Sequence, residues 1–106
     1  MLVATTNDIA GYKVTAHIGM VRGVTVRSRS VVGNVGGAIQ SLFGGNLSIY
    51  TELAEHARQE AYDLMVAHGQ RAGADAIIGM RYDANDIMDG ITEVLCYGTA
   101  VRVERV

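Results

Sequence analysis

Glu52, His56, Glu60 and Asp63 are the side chains whose types and spacing come nearest to chemistry. They are separated by four, four and three residues. On a helix that spacing places them within about 80° of one another, neighbours one turn apart. Carboxylates and an imidazole stacked in this way suit Zn²⁺, Ni²⁺ or Mn²⁺. A single helix face supplies only one side of a coordination shell, so a divalent transition metal here would be completed by a neighbouring subunit. Glu52, His56 and Glu60 are therefore the expected metal ligands. The competing reading is a solvated helix face carrying weak ion pairs.

The other chemistry-bearing residues read more simply. His68 lies among Leu64, Ala61 and Ala72 at helical spacing and is expected to be a packed histidine with one satisfied nitrogen. His17 falls on the polar side of a strand, facing solvent, a subunit seam or a pore. Cys96 is the one cysteine. A thiolate ligand would need a second soft partner, and with no Cys-x-x-Cys nearby Cys96 reads as a small buried hydrophobe. Asp83, Asp86, Asp89 and Glu93 form an acidic run that lacks the alternating oxygens, the central glycine and the closing Glu of a calcium loop, so a solvated turn is expected. Arg22, Arg27 and Arg29 cluster around one strand; repeated about a ring axis they would attract an anion, and otherwise they are surface charge. Gly33-Asn34-Val35-Gly36-Gly37 and Gly44-Gly45 lack the Lys-Ser/Thr of a phosphate-binding loop. There is no G-x-S-x-G elbow and no H-E-x-x-H helix. No catalytic residue is assigned and an enzyme is not expected.

The 106 residues, with 49% hydrophobic content, make one globular domain, 1–106. A net charge of −2 with no Lys/Arg run argues against nucleic acid as a partner. No stretch reads as a secretory signal or a membrane span, and a single cysteine fits a reducing, cytoplasmic compartment. There is no proline, and there are 13 glycines. Glycine inside an element costs roughly 0.5–1 kcal/mol relative to Ala, so the glycines within predicted elements point to backbones in close approach.

Tyr12 to Met20 alternates, with Tyr12, Val14, Ala16, Ile18 and Met20 on one face. Val21 to Arg27 continues, Val24 and Val26 opposed to Thr25 and Arg27. Period two reads as strand, either a hairpin or one long strand kinked near Gly19 and Gly23. Ser30 to Phe43 switches to helical spacing and predicts a short, glycine-weakened helix. Leu47 to Ala72 predicts a long helix with Ser48 as N-cap and Tyr50, Leu53, Ala57, Ala61, Leu64 and His68 on its apolar face. Ala74 to Tyr82 predicts a short strand, Asp83 to Gly90 a turn, and Ile91 to Val103 a second long strand. The order β-β-α-α-β-β is an α+β layer of one long and one short helix on a mostly antiparallel sheet.

Gly11-Tyr12, Gly19-Met20-Val21-x-Gly23, Gly44-Gly45, Tyr50-Thr51-x-Leu53, Ala57-Arg58-x-x-Ala61, Gly73-Ala74-Asp75-Ala76-Ile77-Ile78-Gly79-x-Arg81-Tyr82-Asp83 and Tyr97-Gly98-Thr99-Ala100-Val101 together resemble the YbjQ-like family, in that order and over nearly the whole chain. The family is bacterial and archaeal, carries a heavy-metal-binding label, and has no assigned function. The resemblance implies a small α+β subunit in a ring-like homopentamer.

Elementary physics points the same way. A small domain with long strands and open edges gains by pairing those edges with copies of itself. The expected protein is thus a cytoplasmic ring-forming subunit that binds a metal ion or small ligand where subunits meet. The alternative is a structural or protein-interaction homo-oligomer with no small-molecule ligand.

Overall fold

A computed structural model describes residues 1–28 and 48–106. The predicted short helix, Ser30 to Phe43, lies outside the described residues, as do Arg29 and both glycine-rich segments. The described chain runs β1 (Leu2–Val3), β2 (Tyr12–Ser28), α1 (Ser48–Arg71), β3 (Ala76–Met88) and β4 (Ile91–Arg105). It is an α+β arrangement: one helix lies on a mixed four-stranded sheet of order β1-β3-β4-β2. β3 and β2 run antiparallel to β4, and only β1 is parallel to its neighbour.

β2 is one long strand rather than a hairpin. Bulges fall between Val14 and Ala16 and between His17 and Gly19. From Val14 to Met20 the strand takes six steps (20 − 14) against four on β4 (103 − 99, Val103 to Thr99). Two extra residues restore the side-chain parity, so the alternation survives the kink.

Which face is buried differs from the hydrophobic pattern. Val21, Gly23 and Thr25 lie under the helix, while Met20 is 63% exposed and Val24 and Val26 are also exposed. The reason is steric. At residue 23 the backbone of α1 leaves no room for a β-carbon, so the face that carries Gly23, with Val21 and Thr25 on either side, is the one turned to the helix, and Val24 and Val26 fall on the far face.

The Asp83–Gly90 turn is shorter than predicted. β3 continues to pair with β4 as far as Met88 opposite Ile91, leaving only Asp89-Gly90 as the connection. Acidic side chains do not prevent strand formation where they point to solvent on an edge. β1 was not anticipated: two residues carry no periodicity, and their pairing with Ala76 and Ile77 is a long-range contact.

α1 has 24 residues, about 36 Å at 1.5 Å per residue, close to the predicted span. It ends at Gly73, whose φ of +84° is the left-handed conformation of a helix-terminating glycine. There the Gly73 and Ala74 amides donate to the carbonyls of Gln70 and Gly69. The buried row on α1 is Ala57, Ala61, Met65 and Gly69. Leu64, predicted on the apolar face, is 45% exposed, and Met65 is fully buried in its place. A four-residue repeat of mostly small side chains lets the helix axis approach the sheet, and that row rather than the bulkier one is turned inward.

The main core joins Val21, Ala57, Ala61, Met65, Ile77, Val94, Cys96 and Ala100. A second cluster on the opposite sheet face holds Ala76, Ile78 and Val101, covered by Ile9, Val14 and Val103. Thus residues before β2 cap one end of that face, and among the described residues none covers the end bearing Met20, Val24 and Val26. Among the described residues β2 has no strand on its outer side, and β1 reaches only the first two residues of β3. The radius of gyration is 17.3 Å, against about 13 Å for a compact chain of 100 residues. No described helix is long and apolar enough to cross a membrane.

Candidate functional site

Glu60 is the centre of the best-organised polar cluster. It projects from α1 toward β2, where Thr25 and Arg27 share the helix-facing side of the strand. The Arg27 guanidinium donates from Nη2 to Glu60 Oε2 at 2.6 Å and from Nη1 to Thr25 Oγ1 at 2.8 Å. A further Nη1 bond of 3.2 Å goes to the Val26 carbonyl. The Thr25 hydroxyl, only 4% exposed, donates to Glu60 Oε1 at 3.0 Å. Both carboxylate oxygens are thereby engaged, and the buried hydroxyl is satisfied as burial requires.

The Arg27 bond, then the Thr25 bond, hold the Glu60 carboxyl below its ordinary range, opposed by desolvation. A depressed folded-state pKa adds stability that is present above the unfolded value, about 4.3, and is lost as pH falls through the folded value. We therefore expect wild-type stability to decline on acidification below that point. Glu60→Gln should be less stable at neutral pH and flatter in this acid limb. Denaturant titrations at pH 7 and in the acid limb read this directly; parallel curves for the two proteins would refute it.

The predicted ladder is only partly assembled. His56 Nε2 is 3.9 Å from Glu60 Oε2, too far for a hydrogen bond, and the imidazole is 73% exposed. Asp63 accepts from Gln59 Nε2 at 2.9 Å. Glu52 is exposed. Among the described residues no group of three or more His, Cys, Asp or Glu side chains is gathered closely enough to hold a metal ion. One chain thus offers His56 beside a Glu60 whose oxygens are already taken.

Elsewhere, His68 accepts the Arg22 backbone N–H on Nδ1 at 3.1 Å, the single satisfied nitrogen expected of a packed histidine. His17 is exposed and lies between the β2 bulges. Cys96 is fully buried, its Sγ 3.6 Å from Met65 Sδ. Burial pushes the thiol pKa up, partly offset by a hydrogen bond with Tyr82; a protonated core thiol is a poor metal ligand. Asp86 accepts from the Thr92 hydroxyl across the β3–β4 ladder at 3.0 Å. Thr25 was missed in the sequence as a site residue. Its partnership with Glu60 spans 35 positions, and no local pattern announces it.

Beside the Glu60 cluster, between α1 and the distal ends of β2, β3 and β4, lies a half-open cavity of about 260 Å³. Its walls are mostly apolar, with Leu53, Ala57, Ala84 and Val94, and carry Arg27 and Arg58 as charged groups.

The described residues define a small sheet-and-helix protein with an unpaired β2 edge and a buttressed carboxylate. A family model described as "Putative heavy-metal-binding" matches residues 1–104. The chain belongs to this family, the YbjQ family. It is 61% identical over 103 residues to a UPF0145 protein of Chromobacterium violaceum, covering 97% of this chain and 88% of that one. A UPF0145 protein of Paraburkholderia phymatum is 59% identical over 104 residues, covering 98% and 94%. A crystal structure from Pediococcus pentosaceus, described as a protein of unknown function in the DUF74 family, superposes with a TM-score of 0.57 at 17% identity, covering 98% of each chain. At that identity the likeness is one of fold.

Proposed function

We propose that this chain is one subunit of a closed cytoplasmic ring, five copies by the resemblance of its sequence, that binds a divalent transition metal or another small ligand where subunits meet. The observation that carries the reading is what the described residues leave open: an unpaired β2 edge, a largely unpaired β3 edge, and exposed Met20, Val24 and Val26 on a face that no described residue covers. The two edges differ, so pairing them between copies is a head-to-tail contact of the kind that closes rings. Metal binding is supported by the family description and by His56, exposed with Glu52 four residues away. A neighbouring copy supplies the remaining ligands, and Glu60 joins the shell only by exchanging Arg27 for the metal. The commitment of both Glu60 oxygens favours a second reading, a structural or partner-binding ring with no small ligand.

One preparation, purified without a polyhistidine tag, tests both levels. Light scattering is expected to give a multiple of the 11.3 kDa chain. Elemental analysis after dialysis against Zn²⁺ or Ni²⁺ is expected to show stoichiometric metal, reduced severalfold in His56→Ala. A monomer at micromolar concentration sinks the ring. A ring that retains no added metal sinks the ligand and leaves the structural reading.

A further inference from the structure

The cavity beside the Glu60 cluster has a chemistry of its own, distinct from the metal reading. We propose that it binds a small organic carboxylate whose apolar body is about the size of a benzene ring, with Arg58 as the anchoring cation. The walls supply the body of the site. Leu53, Ala57, Ala84 and Val94 line a space of about 260 Å³, a little below the usual range for small-molecule pockets. Such a space takes a compact ring or branched chain and excludes a nucleotide.

The charges supply the head. Arg27 is neutralised by Glu60 at 2.6 Å, and Asp86, near the wall, accepts the Thr92 hydroxyl. Arg58 forms no ion pair with another described residue. Among the described residues the wall therefore retains a guanidinium, that of Arg58, with no carboxylate partner, beside apolar surface. Guanidinium is the side chain best matched to a carboxylate, through two parallel N–H···O bonds. Arg27, fixed by three hydrogen bonds to Thr25, Glu60 and the Val26 carbonyl, holds the adjacent wall in place. Organisation before binding lowers the ordering that a ligand must impose.

The test uses the full chain and three probes: sodium benzoate, benzyl alcohol and inorganic phosphate. Benzoate is expected to raise the melting temperature and to give a saturable heat by calorimetry, since a ligand of the native state stabilises it. The other two should bind at least tenfold more weakly, because each offers only half of the match. Arg58→Gln should weaken benzoate at least tenfold, and Ala84→Leu, which fills the cavity from an exposed strand position, should abolish it while the protein stays folded. Absence of benzoate binding overturns the proposal. So does equal binding of benzyl alcohol or of phosphate, or unchanged benzoate binding in Arg58→Gln. None of these outcomes bears on metal retention, which His56→Ala reads separately.

Discussion

Gly23→Ala should cost about 3 kcal/mol, near the upper end for an overpacked core, and lower the melting temperature by about 15 °C in a domain of this size. The substitution adds one methyl group, at the point where α1 rests on β2. A β-carbon at residue 23 would lie 2.5 Å from the Met65 amide nitrogen, 2.7 Å from Leu64 Cβ, and closer still to the Ala61 carbonyl oxygen. Two of these are backbone atoms, so no rotamer change relieves the clash. The helix must lift, and lifting it opens the contact of Ala57, Ala61 and Met65 with Val21 and Cys96. Thermal unfolding followed by circular dichroism measures the effect. A melting temperature within a few degrees of wild type would show that the close approach of helix and strand is not a structural requirement.

Met65→Ala should lose roughly 2–5 kcal/mol, the usual range for deleting a long buried side chain. Met65 is fully buried and touches the Cys96 sulfur at 3.6 Å. One turn away on its own row stand Ala61 and Gly69, which have no side chain long enough to fill the void. Met65→Leu, of similar volume, should cost less than about 1.5 kcal/mol. Leu64→Ala serves as the opposing control, since an exposed side chain contributes little when truncated. In urea, the Met65→Ala midpoint should fall with an unchanged slope. A larger loss in Leu64→Ala than in Met65→Ala would mean that the helix presents its other row to the sheet.

The long elements were legible because their periods are long enough to read. Leu47 to Ala72 was expected and Ser48–Arg71 is observed; Ile91 to Val103 was expected and Ile91–Arg105 is observed. The error at Asp83–Met88 came from reading charge as turn, when pairing with β4 outweighs propensity on an exposed strand. The burial of Thr25 under the helix, in place of Val24 and Val26, was invisible for a different reason. Hydrophobic alternation gives the two faces of a strand but does not say which one a helix will cover, and here Gly23, where the helix backbone leaves no room for a β-carbon, selects the face. On α1, Met65 is inward in place of Leu64 because it shares a row with Ala57, Ala61 and Gly69, the small residues that let the helix approach the sheet. As for the candidate site, the i, i+4 ladder of Glu52, His56 and Glu60 was readable as spacing. The engagement of Glu60 by Arg27 and Thr25 was not, because it joins segments 33 and 35 positions apart.

Along β2, the two bulges and the Arg22 amide already held by His68 have a consequence for misassembly. Cross-β fibrils grow by stacking flat strands whose amides and carbonyls are all available in register. A foreign strand laid against this border meets a donor that is occupied and a backbone that twists away at each inserted residue. Only a partner shaped to those interruptions can zip along the border, which leaves amyloid-like growth without a continuous template.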